Sequence, residues 1–192
     1  MARDRKFTTA ELFQATKQGL LQHGYEGFTF SLLAEQLDVS RGTIYKYYEN
    51  KDELITEFML EEMNMFLHDL KKINDIKHFE DQFNQLFFIM FKNQDIHSLI
   101  EIGSHIQMSR NKKVSENKKR LDKLHLDMYG ILSEFINNGK KEGILKPELP
   151  DNLLLGIIFQ TIAIPNHSRV PTEEWVRSIK EIISHGMFKK DN

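Results

Sequence analysis

The sequence contains no cysteine in its 192 residues. This absence excludes a disulfide framework and a zinc site built from thiolates, and it is typical of proteins in a reducing compartment. The first residues, MARDRKFTTAEL, carry charges and lack the apolar stretch of a signal peptide, and no later apolar run approaches the roughly 20 residues of a membrane-spanning helix. We therefore expect a cytoplasmic protein with no membrane partner.

The sequence also lacks a charge excess and the common catalytic motifs. Its net charge is -2 at pH 7, so a nucleic-acid partner must be recognised locally and not through a general basic character. It contains none of the patterns G-x-x-x-x-G-K-[ST], H-E-x-x-H, G-x-S-x-G and G-x-G-x-x-G, which bind nucleotides, hold zinc or present a nucleophile. We therefore expect a protein that is not an enzyme and needs no cofactor.

Proline is scarce, and helix-forming patterns fill the chain. The four prolines lie at positions 147, 150, 165 and 171. Thr8 and Glu11 form the pattern of a capping box, Gly24 is expected to stop the first helix, and Asn50 with Glu53 begins another. Apolar residues recur at helical spacing in residues 78–93, 95–110, 114–141, 151–164 and 172–188. These patterns predict an all-α fold, with a small domain at residues 1–50 and a larger helical domain at residues 51–192.

The stretch FTFSLLAEQLDVSRGTIYKYYENKDEL, residues 28–54, has the pattern of a helix-turn-helix. LDVS is typical of a tight turn, and Ser40 is placed to cap the second short helix. The residues predicted to face inward are Leu32, Leu33, Leu37, Val39, Ile44 and Tyr48. The second helix of such a unit fits the major groove of B-form DNA, although spacing alone fits an ordinary pair of short helices equally well.

The outward residues of this stretch carry groups that suit DNA. Arg41 can bridge the O6 and N7 atoms of guanine, and Thr43 can contact a phosphate or a thymine methyl group. Gly42 leaves room for a close approach of the backbone. Donors at phosphate height are supplied by Tyr45, Tyr47 and Lys51, and by Thr29 and Ser31 at the start of the preceding helix.

Residues 39–54, VSRGTIYKYYENKDEL, resemble the signature of the TetR family of bacterial transcriptional regulators. The resemblance covers residues 8 to 55 and departs from the family where Phe28 and Phe30 flank Thr29 in place of a second hydroxyl residue. Arg3 and Arg5 are interpreted as part of a solvated tail, with a minor-groove contact as the alternative. The DNA-binding residues that the resemblance implies are Thr29, Ser31, Ser40, Arg41, Gly42, Thr43, Tyr45, Lys46, Tyr47 and Lys51.

The resemblance further implies that the rest of the chain binds a small-molecule effector and forms a homodimer, so that two recognition helices read a near-palindromic operator. Residues 152–164 are apolar on nearly all sides, and residues 173–187 carry one broad apolar face. We expect both in a four-helix bundle formed by two subunits, unless they merely complete the core of a monomer. The predicted interface residues are Leu155, Ile158, Trp175, Ile179, Ile182 and Ile183.

A ligand pocket is harder to locate, because stripes of phenylalanine and methionine are typical of any helical core. The candidate pocket residues are Phe87, Phe91, Glu101, His105, Met108, Tyr129 and Phe159. Glu101 has the helical spacing of a metal-ligand pair with either His97 or His105, but no third ligand is identifiable, and we expect no metal. The basic run at residues 110–123 is interpreted as a solvated helix start and loop, with a contact to phosphate or to an acidic partner as the alternative.

Together the residues and the resemblance predict a dimeric, TetR-like regulator, most simply a repressor that a small molecule releases from DNA. When bound to its operator, such a protein is associated with the bacterial nucleoid. An alternative interpretation keeps the DNA-binding domain and assigns the rest of the chain to a protein partner, as in an architectural or chromosome-organising factor.

Overall fold

The chain is helical in a computed structural model that describes residues 6–92, 95, 98, 99, 102, 103, 105, 106 and 111–188. The helices with described ends are α1 (Thr9–Gly27), α2 (Phe30–Gln36), α3 (Arg41–Ile44), α4 (Lys51–Lys71), α5 (Phe79–Lys92), α6 (Lys112–Lys141), α7 (Asp151–Gln160) and α8 (Thr172–Met187). Among these residues the only extended pairing is an isolated bridge between Leu145 and Phe188. The predicted all-α fold is therefore confirmed, and most of the predicted segment 95–110 lies outside the described residues.

Packing divides the chain into two compact units. The first unit contains Met1–Asn64 and Asp95–Lys123, and the second contains Met65–Gln94 and Leu124–Asn192. Helices α4 and α6 each contribute residues to both units. The predicted functional boundary after residue 50 remains a prediction, since these units group residues by packing and not by role.

Helix α1 begins as its sequence predicts. The Glu11 amide donates to the Thr8 hydroxyl oxygen at 3.1 Å, and the Thr8 amide donates to the Glu11 carboxylate at 2.6 Å, which completes the capping box. The hydrogen bond from the Thr8 backbone lowers the pKa of Glu11. Gly24 has a φ of 65°, a left-handed conformation that suits glycine, but it kinks the helix, which continues to Gly27.

Two predictions for the helix-turn-helix need correction. Leu33, Ile44 and Tyr48 are buried as predicted, but Leu32 is 37% exposed because it lies on the solvent side of the short α2. Ser40 occupies the position before α3 without capping it, since its hydroxyl lies 2.9 Å from the Thr43 hydroxyl instead. A second hydroxyl one turn away offers Ser40 a partner that competes with the backbone.

The second unit has an aromatic core. Phe79 lies with its ring centroid 4.8 Å from that of Phe135 and 6.2 Å from that of Phe83. Gly139 is required at this point, because a Cβ atom there would lie 2.6 Å from the Phe79 ring. The predicted helix at 151–164 ends as an α-helix at Gln160 and continues as the 3₁₀ turn Thr161–Ala163.

None of the described helices combines the length and the apolar composition that crossing a membrane requires.

Candidate DNA-binding surface

A tight turn orders α3 against α2. Asp38 adopts a φ of 50°, which short polar side chains tolerate better than most residues. The Asp38 amide donates to the Glu35 carbonyl at 3.1 Å, and the Val39 amide donates to the Ala34 carbonyl at 2.9 Å. Ile44 is fully buried beneath α3. The turn and this anchor leave the outward side of α3, the predicted recognition helix, and the turn after it in solvent, where Arg41, Gly42, Tyr45 and Lys46 are all exposed.

Arg41 and Tyr45 form a hydrogen-bonded pair on this surface. The Arg41 Nη2 donates to the Tyr45 hydroxyl oxygen at 2.8 Å, and the guanidinium carbon lies 5.2 Å from the centroid of the Tyr45 ring. The edge of that ring in turn meets the ring of buried Phe30, with centroids 5.0 Å apart and planes at 72°. A guanidinium above an aromatic face is held by the charge distribution of the ring. The core of the first unit therefore orients Arg41 through one intervening side chain.

The other polar residues of the recognition helix are accessible. Thr43 is half-buried and pairs with Ser40, while Lys46 is exposed and has no partner within the described residues. A Cβ atom on Gly42 would meet only the Ser40 hydroxyl, at 3.9 Å. Packing among the described residues does not require a glycine here, and the close approach of DNA to the backbone at Gly42 stays a prediction.

Thr29 and Ser31 lie at the start of α2, next to this surface. The Leu32 amide donates to the Thr29 hydroxyl oxygen at 3.3 Å, so Thr29 caps α2 and keeps its own hydroxyl hydrogen for another acceptor. Both residues are exposed. The contact between Phe30 and Tyr45 places this helix start beside α3.

Lys51 makes internal contacts in this structure. Its ammonium donates to the Tyr25 carbonyl at 2.7 Å and lies 4.0 Å from the centroid of the Tyr25 ring. The Tyr25 hydroxyl donates to the Asp52 carboxylate at 2.7 Å. Burial, and then this hydrogen bond, raises the pKa of Tyr25 to about 12. The predicted phosphate contact of Lys51 stays a prediction, and the side chain already joins the end of α1 to the start of α4.

Tyr47 also contacts the body of the first unit. It is half-buried, and its ring edge lies against the ring of buried Phe7, with centroids 5.6 Å apart. Because Phe7 packs against its ring, the hydroxyl of Tyr47 has a fixed position beside the recognition helix. Its phosphate contact likewise remains a prediction.

A buried carboxylate fixes the joint between α3 and α4. The Glu53 side chain is 5% exposed and accepts hydrogen bonds from the Glu49 amide at 3.0 Å and from the Lys113 ammonium at 2.6 Å. Asn50 caps the same helix by accepting from the Glu53 amide at 2.9 Å. Lys113 also lies 3.4 Å from the Glu57 carboxylate. The start of α6 is thus attached directly to the segment that follows the recognition helix.

The role of Lys113 was missed in the sequence, where the whole basic run was interpreted as solvated. Its hydrogen bond to Glu53 raises the pKa of Lys113. Nearby, Asn111 donates to the Glu49 carboxylate at 2.8 Å, and Lys118 donates to the Ile106 carbonyl. The interpretation fits the exposed residues Lys112, Lys119, Arg120 and Lys123. Because Lys113 and Glu53 are 60 residues apart, no local pattern signals their pairing.

Comparison with known proteins identifies the family of this chain. Residues 12–58, which include the helix-turn-helix, match the model of bacterial regulatory proteins of the tetR family. An HTH-type transcriptional regulator of Haemophilus influenzae is 34% identical over 156 residues, which cover 79% of this chain and 77% of that relative. The chain belongs to the TetR family. It is a DNA-binding transcriptional regulator, and the family and fold predicted from the sequence are confirmed.

Other proteins are similar to this TetR-family regulator along almost its whole length. The fatty acid metabolism regulator protein of Bacillus subtilis is 24% identical over 188 residues, or 94% of this chain and 95% of that protein. The ketosteroid transcriptional regulator KstR2 of Mycobacterium tuberculosis has a TM-score of 0.74 at 16% identity and covers 99% of this chain and 98% of its own. FadR of B. subtilis, solved with stearoyl-CoA, has a TM-score of 0.67 at 18% identity, with 93% and 99% covered. At these identities the solved structures show a shared fold.

The candidate ligand residues of this TetR-family regulator lie in different settings. In the second unit, Phe87 is buried and stacks on half-buried Phe91, with centroids 6.0 Å apart. Phe159 is half-buried, whereas Tyr129 is 57% exposed. In the first unit, His105 stacks on Tyr25 with centroids 6.0 Å apart. Glu101 and Met108 lie outside the described residues, as do His97, Arg3 and Arg5.

The candidate interface residues are mostly covered by the chain itself. Leu155, Ile158, Ile179 and Ile183 are buried within the second unit, and Trp175 is half-buried. Ile182 is 73% exposed and is the one member of the set that points fully into solvent. Their contact with a second subunit stays a prediction. Such a contact requires the exposed residues beside the buried ones on the same helices.

Proposed function

We propose that this TetR-family regulator is a homodimeric repressor that reads a near-palindromic operator in the cytoplasm and leaves it when a long-chain acyl ligand binds. The observation that carries the DNA-reading part is the outward side of α3, where Arg41 is oriented beside accessible Gly42 and Lys46. Arginine is the side chain that most often reads guanine, and lysine supplies salt-dependent attraction to phosphate. In the two subunits of a dimer, the paired recognition helices would read half-sites about 34 to 36 Å apart, or a multiple of that distance.

Exposed apolar residues on α7 and α8 support the dimer. Leu153 and Ile157 lie one turn apart on α7 and are 50% and 44% exposed, while Ile182 on α8 is 73% exposed. Large apolar side chains that are exposed in the monomer favour association, because burial in an interface removes their apolar surface from water. We therefore assign the interface to these outward residues, next to the buried residues Leu155 and Ile158 that the sequence suggested.

The dimer has a direct test. Ile182→Glu places a charge at the proposed interface and should convert the dimer to a monomer, as measured by analytical ultracentrifugation. Leu126→Glu is the matched control, since Leu126 is a 71% exposed apolar residue on α6. A dimer that survives Ile182→Glu and dissociates with Leu126→Glu would move the interface to α6.

The ligand class is proposed from the relatives that cover the full length of the chain. The fatty acid metabolism regulator protein of B. subtilis is named for that metabolism, and the solved structure of FadR from the same organism contains stearoyl-CoA. The abundance of phenylalanine, 14 residues in the chain, suits an apolar ligand. Release then follows from a population shift: the ligand favours a conformation in which the start of α4 has moved and the two recognition helices no longer dock together.

This mechanism sets a thermodynamic requirement. A ligand that binds both conformations equally well cannot release the protein from DNA, however tightly it binds. Because the coupling is reciprocal, operator DNA must weaken ligand binding by the same factor by which ligand weakens operator binding. The helices α4 and α6, which contribute to both compact units, are the elements that we expect to carry this coupling.

Two experiments in sequence test the proposal. Selection from a random DNA library at a stated, near-physiological salt concentration should enrich a near-palindrome, because phosphate contacts make affinity salt-dependent. Titration of that operator with palmitoyl-CoA should then weaken binding by about 5- to 150-fold, the usual range of allosteric coupling. Failure to enrich any sequence would contradict the DNA-reading part. An enriched operator with the same affinity at every acyl concentration would contradict acyl control and favour control by a protein partner.

A further inference from the structure

A groove of about 480 Å³ runs along the surface between α5 and α8, entirely within the second unit. Its volume lies in the range of about 300 to 1,000 Å³ that small-molecule sites occupy. Its apolar lining comes from Phe87, Phe88 and Phe91 on α5 and from Val176 on α8. Phe87 and Phe91 are two of the pocket residues that the sequence suggested, and the structure brings them together here.

The aromatic lining is unusually accessible at one residue. Phe88 is 61% exposed, although the neighbouring Phe87 and Ile89 are almost fully buried. Because Phe88 lines the same groove as Phe87 and Phe91, its ring belongs to a contiguous apolar surface of the kind that binds apolar ligands. Helix α5 therefore contributes three aromatic rings to the groove, and the ring of Phe88 is also exposed to solvent.

The rim of the groove is positive. Lys92, Arg177 and Lys180 line it, and Glu173 is the one acidic residue in its lining. Arg177 has no hydrogen-bond or ion-pair partner within the described residues. Lys180 donates to the neutral Asn84 side chain at 2.8 Å, and Lys92 lies 3.9 Å from Asp69, which has its closer partner in Lys72 at 2.7 Å. These cations are therefore available to an anion.

We propose that this groove binds a long-chain fatty acyl-CoA, with the acyl chain on the three phenylalanines and the CoA phosphates on Lys92, Arg177 and Lys180. The assignment rests on the proposed function and gives its ligand a location. The apolar floor of the groove suits the acyl chain. The cations at its rim suit the phosphates, for which arginine and lysine are the preferred side chains. Neither an acyl chain alone nor a phosphate group alone would match both the apolar floor and the basic rim of the groove.

Other occupants match the groove less well. A neutral sterol would cover the phenylalanines and leave three cations unmatched. A second copy of the same groove, related by a two-fold axis, would bring cations against cations, and like charges across an interface are costly. A free fatty acid carries a single negative charge, which satisfies one cation of the three.

The chain contains its own reporter for the test. Trp175 is the single tryptophan in the sequence, and along α8 it directly precedes Val176, which lines the groove. We would titrate palmitoyl-CoA, below its micellar concentration, into the full-length protein and follow tryptophan fluorescence. Parallel titrations with CoA alone and with palmitate alone separate the contributions of the head group and the chain.

Three variants locate the site. The double variant Arg177→Gln/Lys180→Gln should raise the Kd for palmitoyl-CoA by about tenfold or more, because hydrogen bonds to charged groups are the stronger ones. Phe88→Ala should also raise it, without loss of fold, since the side chain is largely exposed. The matched control Lys119→Gln/Arg120→Gln removes an exposed lysine and arginine from α6 and should leave the Kd unchanged. Circular dichroism checks the fold of each variant.

The outcomes separate this inference from the function on which it rests. If palmitoyl-CoA releases the operator and the groove variants bind it as tightly as the wild type, the groove is not the site, while the proposed function stands. If the wild type binds no acyl-CoA, this inference fails together with the acyl-ligand part of the proposed function. Palmitate binding as tightly as palmitoyl-CoA would overturn the role of the cations, and loss of the dimer in Phe88→Ala would assign the groove to a second copy.

Discussion

Arg41 donates a hydrogen bond of 2.8 Å to the hydroxyl of Tyr45, the residue that directly follows the recognition helix α3. The same guanidinium lies over the Tyr45 ring, and that ring abuts buried Phe30. A long, exposed arginine normally loses considerable rotamer freedom on binding. The contact with Tyr45 removes part of that cost beforehand, so the position of Arg41 is partly set before DNA arrives.

This relationship predicts the effect of Tyr45→Phe. The variant keeps the ring and removes the hydroxyl, so discrimination at the base pair that Arg41 reads should fall by about 1 kcal/mol, the net value of one hydrogen bond. Library selection measures it. Arg41→Ala should cost roughly 1 to 3 kcal/mol at the same position, and Tyr45→Phe should add nothing in that background. A uniform loss of affinity for all sequences would instead place the Tyr45 hydroxyl on a phosphate.

Gly42→Ala should separate stability from DNA binding. The new methyl group meets only the Ser40 hydroxyl, at 3.9 Å, and alanine favours a helix, so the free energy of unfolding should rise by about 0.5 to 1 kcal/mol. Operator affinity should fall, because the methyl group occupies the space through which DNA approaches. Gly130→Ala is the matched control: a Cβ atom there meets no neighbour within 4 Å, and the change should stabilise α6 without changing operator affinity. Unchanged operator affinity in Gly42→Ala would remove Gly42 from the contact surface.

Lys113→Gln should loosen the joint between α3 and α4. It leaves the buried Glu53 carboxylate with a weaker partner, and we expect a loss of about 1 to 3 kcal/mol in the free energy of unfolding, measured with urea. Lys112→Gln, at the adjacent position, removes a lysine whose side chain is 90% exposed and should cost less than about 0.5 kcal/mol. Equal losses in the two variants would mean that the pairing with Glu53 adds no stability.

The Tyr25 hydroxyl predicts a stability difference in alkaline solution. Its pKa is raised from 10.0 to about 12 in the folded protein, chiefly by burial and by the hydrogen bond to Asp52, so the folded state favours the neutral phenol. That contribution is fully present below pH 10 and is lost as pH rises toward 12. The stability advantage of the wild type over Tyr25→Phe should therefore be constant below pH 10 and shrink above it. Urea titrations at several pH values measure it, and a constant difference up to pH 12 would contradict the raised pKa.

Local patterns predicted the helix-turn-helix well. The capping box at Thr8 and Glu11, the cap at Asn50 and the buried Ile44 all depend on residues within a few positions of one another. The errors arose where two local solutions compete. Ser40 had a hydroxyl neighbour as well as a helix start, and Leu32 sits on a helix of seven residues, too short for periodicity to fix which side faces the core.

The sequence by itself determined the all-α class, the helix-turn-helix and the family, because each depends on short-range spacing or on a contiguous signature. Only the tertiary structure decided that Lys113 pairs with Glu53 after the recognition helix, that Lys51 contacts Tyr25, and that phenylalanines of α5 share a groove with cations of α8. These contacts join residues that are far apart along the chain. A side chain shows its chemistry in the sequence, but its partner is chosen by packing, which brings distant elements together.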